Sequence, residues 1–238
     1  MRERRGSAPT TVKALSGGIP GTPDAPVLTS HGSHGLVRSL PIAALAALHA
    51  PNVVAQLAFQ SCALTHGDPF AMHATVGTVM CLAHLLRASA DFDEALVFAV
   101  GVIDGTAPPV VTDRLRAVAQ ARAAQPRSLS RLSRLSPDRS ALSVAAGALY
   151  AFGDDVDADI EFVCRSAGDL PACSAVVAAL HGLAGGAESL DPGRVARLEA
   201  VWPMEVLGRD LGVVLTEYPA GGGDRLPLPG WSHRYPAW

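Results

Sequence analysis

The sequence predicts an all-α, soluble, mostly helical chain, and three observations carry that prediction. Apolar residues make up 49% of the 238 positions but aromatics only 5%, so the core must be built from Ala, Val and Leu. Ala, the strongest helix former, dominates the middle of the chain, while β-branched runs are scarce. Apolar residues recur at helical spacing between short Gly, Pro and Asp interruptions.

The elements follow in order. Residues 1–29 hold Gly17, Gly18, Pro20, Gly21, Pro23 and Pro26 with almost no apolar periodicity, which predicts a flexible arm. Pro41 suits the first turn of a helix continued by Ile42, Leu45, Ala46 and Leu48. A second helix is expected over 52–64, with Asn52 as N-cap and Val53, Leu57 and Ala58 facing inward. Thr65-His66-Gly67-Asp68-Pro69 then breaks the pattern: Gly67 suits a left-handed helix end, Asp68 a cap, and Pro69 the next first turn. A helix over 69–89 presents Val76, Val79, Met80, Ala83 and Leu86, and another spans Asp91 to Val102 behind an acidic start. Residues 105–109 form a Gly/Pro turn before a polar helix at 111–124 that Pro126 ends. The Arg/Ser run 127–136 reads as a solvated linker with a possible affinity for phosphate or a phosphorylation role. Helices follow at 140–152, 155–166, 170–184, 191–199 and 203–217, and the Pro/Gly/Trp-rich stretch 219–238 predicts an irregular tail. The expected organisation is an arm (1–29), one helical domain (30–218) and that tail.

Charge and cysteines exclude several function classes. The 19 basic and 22 acidic residues give a net charge of −3, too even for a nucleic-acid or membrane surface. No run of about 18 uninterrupted apolar residues and no apolar leader follows Met1, so a cytoplasmic protein is expected. Cys62, Cys81, Cys164 and Cys173 lie in apolar segments without CxxC spacing, as buried thiols in a reducing compartment do.

Two segments carry a resemblance. The first holds Gly-Ser-His-Gly-Leu-Val-Arg-Ser-Leu-Pro (32–41) and Ala-Leu-Thr-His-Gly-Asp-Pro (63–69). The second holds Phe-Val-Cys-Arg-Ser-Ala-Gly-Asp-Leu-Pro-Ala (162–172) and an Ala-rich helix ending His181-Gly182-Leu183-Ala184. These are similar to the Gly-Asn-Gly-x-x-Met-Arg-x-x-Pro, Thr-His and Asn-x-Gly-Gly-Asp-x-Asp-Thr motifs of the ADP-ribosylglycohydrolases, and Trp202-Pro203 loosely resembles a further Ile-Pro-x-x-Trp element. Over roughly 32–217 the chain thus resembles that family, shortened at its N-terminus and degenerate. The resemblance implies an orthogonal helical bundle, ADP-ribose or an ADP-ribosylated protein as partner, and ligand contacts at Ser33, His34, Gly35, His66 and Gly168. It leaves open whether Ser33 or, one register on, His34 stands for the motif Asn.

The family's catalysis implies two Mg²⁺ ions held by an early Thr-Asp-Asp-Thr run and the late Asp-x-Asp-Thr loop. A pair of divalent cations needs several hard oxygen ligands. Here the early run has no counterpart beyond Thr22-Pro23-Asp24, and the late loop keeps Asp169 but has Pro171 and Ala172 for Asp and Thr. Asp169 is the surviving metal ligand, and the catalytic residue if the protein is active. The expectation is a non-catalytic or weakly active homologue without a cofactor. One alternative is an active Mg²⁺-dependent hydrolase recruiting Asp154, Asp155, Asp157 or Glu161; another is a partner-binding protein using Trp231, Tyr235 and Trp238.

Bland readings stand beside these. His66 serves equally as a polar residue of a helix turn, Asp68 and Asp169 as N-caps, and Arg38 as either a phosphate or scaffold contact, which the resemblance tilts toward a buried ion pair, or a solvated residue. His73 and His84 suit a core or boundary position. The acidic run 154–161 fails as an EF-hand, with Ile160 in place of Gly and Ser166 in place of the closing Glu, and suits a helix start.

Overall fold

The computed structural model describes residues 9–19, 21–26, 29–88, 91–186, 188 and 190–217. Among them are twelve α-helices and one 3-10 helix, with no strand. The fold class is all-α. The tail aromatics Trp231, Tyr235 and Trp238 lie outside the described residues.

The segment expected as a flexible arm contains α1 (Pro9–Ser16), whose Ala14 is buried. The helix expected to open at Pro41 is instead two elements: α2 (His34–Ser39) and a 3-10 helix (Leu40–Ala47). Pro41 supplies no N–H to continue α2, and the chain tightens into three-residue turns. In α3 (Pro51–Ala63) the proline takes the first turn and Ala50 precedes it, so Asn52 is not the cap. The inward face is Val54, Ala58 and Cys62, with Val53 exposed. Gly67 is not among the described glycines with positive φ (Gly18, Gly105 and Gly186), so the turn after α3 does not use a left-handed cap there.

α4 (Pro69–Ala88) is the axis of the fold, packed by α2, the 3-10 helix and α3, and by α5 (Phe92–Ile103), α6 (Pro109–Ala123) and α8 (Ala141–Ala151). Asp68 Oδ1 accepts from Ala71 N at 3.0 Å and caps it. Because α4 is surrounded, Ala71, Ala74, Val76, Val79, Met80, Cys81, Leu82 and Ala83 are all buried, while Leu86 is exposed. Residues 69–87 are long and apolar enough to cross a membrane by length and composition, and 67% of that window is buried inside the fold, as a core helix is. Every residue of α8 is buried. Its alanines let α4, α6, α9 (Val156–Val163) and α10 (Leu170–Gly185) approach closely.

The Arg/Ser run is not a linker. Residues Leu129–Leu135 form α7, capped by Ser128, with Leu132 and Leu135 buried. Their spacing of three places both on one helix face. Just before it, Arg127 reaches the fully buried Asp159 of α9, Nη1 to Oδ1 at 2.5 Å. Asp159 Oδ2 also accepts from Gly153 N at 2.6 Å and from His181 Nε2 of α10 at 2.8 Å. A buried carboxylate is tolerable only when so fully paired. Cys62, Cys81 and Cys173 are buried free thiols; Cys164 is free but exposed, against expectation, because it ends α9 at the surface.

By internal packing the chain divides into Met1–Ser189 and Leu190–Trp238, a boundary inside the 30–218 span expected as one domain. The second unit contains α11 (Pro192–Val195), capped by Asp191, and α12 (Val201–Glu217), which exposes Trp202.

Candidate functional site

The two motif regions meet. Ser33, at the N-terminal edge of α2, is buried and donates its hydroxyl to Asp169 Oδ2 at 2.9 Å, across 136 residues of sequence. Asp169 sits at the N-cap of α10, where Oδ1 accepts from Ala172 N at 3.4 Å. Pro171 fits the first turn of that helix because its missing N–H would have no partner there. Both carboxylate oxygens are thus engaged within the protein.

His66 lies on the other side of the Gly32–Gly35 turn. It is buried, and its Nδ1 lies 2.8 Å from Thr65 Oγ1. Thr65 Oγ1 in turn accepts from Arg38 Nη1 at 2.9 Å, and Arg38 Nη2 donates to Ser61 O at 2.5 Å. Of the readings for Arg38, the scaffold contact is the one observed: it bonds a hydroxyl and a carbonyl, not a carboxylate, and holds α2 against the end of α3. Thr65 Oγ1 thus bridges the Arg38 guanidinium and the His66 ring. Nε2 faces Gly32, 3.4 Å from where a Cβ on that residue would stand. Burial, aided by the charges of Arg38 and His34, pushes the His66 pKa down to about 4, so the ring is neutral near pH 7.

The remaining motif residues divide. Gly35 is buried with no room for a side chain: a Cβ would stand 2.7 Å from Cys62 Sγ and 3.2 Å from His66 Cβ. His34 is exposed at the start of α2, while Ser33 makes the contact with Asp169. Gly168 is buried against Ser136, whose Oγ would lie 2.8 Å from a Cβ at Gly168 and equally close to one at Gly147. That Ser136 Oγ is buried with no hydrogen-bond partner among the described residues. The sequence offered no sign of Ser136 as a neighbour of Gly168, since Ser-Pro at 136–137 reads as a linker end. Burial pushes the adjacent Cys173 thiol up to about 12, so it stays protonated.

A family model for ADP-ribosylglycohydrolase matches residues 2–220. The chain belongs to the ADP-ribosylglycohydrolase family. No curated protein and no solved structure matches it. The matched span crosses the boundary between the two packing units and includes both motif regions.

Family membership implies a pair of divalent ions, and the donors around Asp169 do not fit one. Among the described residues no three His, Cys, Asp or Glu side chains converge. Next to Asp169 the side chains in reach are hydroxyls and a protonated thiol, where two cations demand several carboxylates. In the acidic run, Asp155 caps α9 by accepting from Ala158 N at 2.9 Å, and Glu161 pairs with Arg165 at 2.6 Å. Asp159 is committed to Arg127 and His181.

Proposed function

We propose that this member of the ADP-ribosylglycohydrolase family is a non-hydrolysing homologue that keeps a polar site for an ADP-ribose-like ligand and works by binding. One observation carries the proposal: the Asp169 carboxylate accepts from Ser33 and from the α10 backbone, and is followed by Pro171 and Ala172, which have no side-chain oxygen. A metal at Asp169 would find one carboxylate among the described residues, far short of the several that a pair of divalent ions requires. What stays is a carboxylate, a hydroxyl and a neutral imidazole around a glycine turn, groups whose hydrogen-bonding capacity suits sugar hydroxyls.

The test pairs calorimetry with turnover. ADP-ribose is titrated into the protein with and without Mg²⁺, and an ADP-ribosylated protein is incubated with it and Mg²⁺ or Mn²⁺. The expected result is a Kd unaffected by the metal and release of ADP-ribose no faster than the blank. Metal-dependent release that Asp169→Ala abolishes would overturn the proposal and restore the hydrolase reading.

A further inference from the structure

Because the Arg/Ser run folds as α7 instead of remaining solvated, it turns its arginines toward α6. Between the two helices lies a groove of about 370 Å³, walled by Arg114, Gln120, Arg131 and Arg134, with Ala121 and Leu135 at its base. None of the lining residues is acidic.

Backbone carbonyls fix two of the three guanidiniums. Arg114 Nη1 donates to Leu135 O at 2.7 Å. Arg131 Nη1 donates to Pro126 O at 2.9 Å and also to Ala124 O. Each contact occupies one nitrogen of a five-donor fork and leaves the others available. Arg134 is exposed and makes no hydrogen bond or ion pair among the described residues. The carboxylate that feels Arg114 is Asp138, outside the groove lining, and it already accepts from Ser140 N at 2.9 Å and Ser143 Oγ at 2.7 Å. Three cations line one concavity with no carboxylate among its lining residues, and an anion entering the groove relieves their mutual repulsion.

We propose that this groove binds a phosphate dianion, free or carried by a small phosphorylated molecule. Forked guanidinium donors match the oxygens of a phosphoryl group, and two of the three are ordered before the ligand arrives. The volume is at the low end for small-molecule sites, which suits a phosphate with a short organic substituent over the apolar base. The site is formed by α6 and α7 and does not depend on the ADP-ribose reading of the Ser33–Asp169 region.

The experiment is calorimetric titration of the full chain with inorganic phosphate and, separately, glycerol 3-phosphate, at constant ionic strength set with chloride. Saturable binding of at least one probe is expected, and the tighter of the two identifies the free or the esterified source. Arg134→Glu, at an exposed residue with no partner to lose, should weaken binding by about tenfold or more. Gln120→Glu, which keeps all three arginines but adds a carboxylate to the wall, should do the same. Arg139→Glu, an exposed arginine outside the lining, should change affinity by no more than about twofold. Absence of saturable binding of both probes overturns the proposal. So does retention of affinity in both groove variants, or an equal loss in Arg139→Glu, which would mean a general charge effect.

Discussion

Gly35 sits where a methyl group would meet sulfur. An alanine there places Cβ 2.7 Å from Cys62 Sγ and 3.2 Å from His66 Cβ, both buried and unable to move aside freely. Gly35→Ala should cost about 1–3 kcal/mol in urea unfolding despite the helical preference of alanine. Adding Cys62→Ala, which removes the nearer atom, should return more than half of that loss. His66 gives a pH signature. Its pKa is about 4 in the fold against an ordinary 6.5, so the unfolded chain takes up the proton first as pH falls. Stability is then full above about pH 6.5 and declines between pH 6.5 and 4, by an amount on the order of 2–3 kcal/mol. His66→Gln should show a correspondingly smaller loss between pH 7 and pH 4.5 by chemical denaturation. The cap at Asp169 was legible from the Ala-rich helix that it opens. The bond between Ser33 and Asp169 was not, because nothing local marks a contact spanning 136 positions.

At the scale of elements, the helices near 69–88, 92–103 and 141–151 were read from capping and periodicity almost to their ends. Composition concealed α7. Three arginines and four serines in the run 127–136 suggest solvent, yet Leu132 and Leu135, three apart, mark one buried face, while Leu129 stays exposed. The acidic run was read as a helix start, which is right for Asp155 but not for Asp159, whose partner Arg127 lies 32 residues upstream. The one cue was His181, a polar ring within an Ala-rich helix. The three elements that meet at Asp159 depend on that pairing. Arg127→Met leaves a buried carboxylate with His181 and Gly153 N alone, and should cost on the order of 3 kcal/mol in thermal or urea unfolding. Adding Asp159→Asn should recover part of the loss, since the stranded charge is gone.

For the molecule as a whole, the all-α class followed from composition and helical periodicity, and the family followed from motif order. Where the packing units divide did not, because the Gly185-Gly186 break before Leu190 looks like the other short Gly and Pro breaks between helices of one domain. The catalytic status is a whole-molecule property too: it depends on whether carboxylates from distant segments converge, and the proposal of a binding protein rests on their failing to do so at Asp169.

The complete burial of α8 has a consequence for how deuterium enters the protein. All eleven residues of Ala141–Ala151 are enclosed, with α4, α6, α7, α9 and α10 packed around them. Fraying cannot hydrate an element with no solvent-facing side, so its amides have to wait for the entire surrounding layer to come apart. Mass-resolved exchange should find peptides from 141–151 among the slowest, with an opening free energy equal to that of global unfolding. Peptides from α6, half of whose surface is wet, should label well before them.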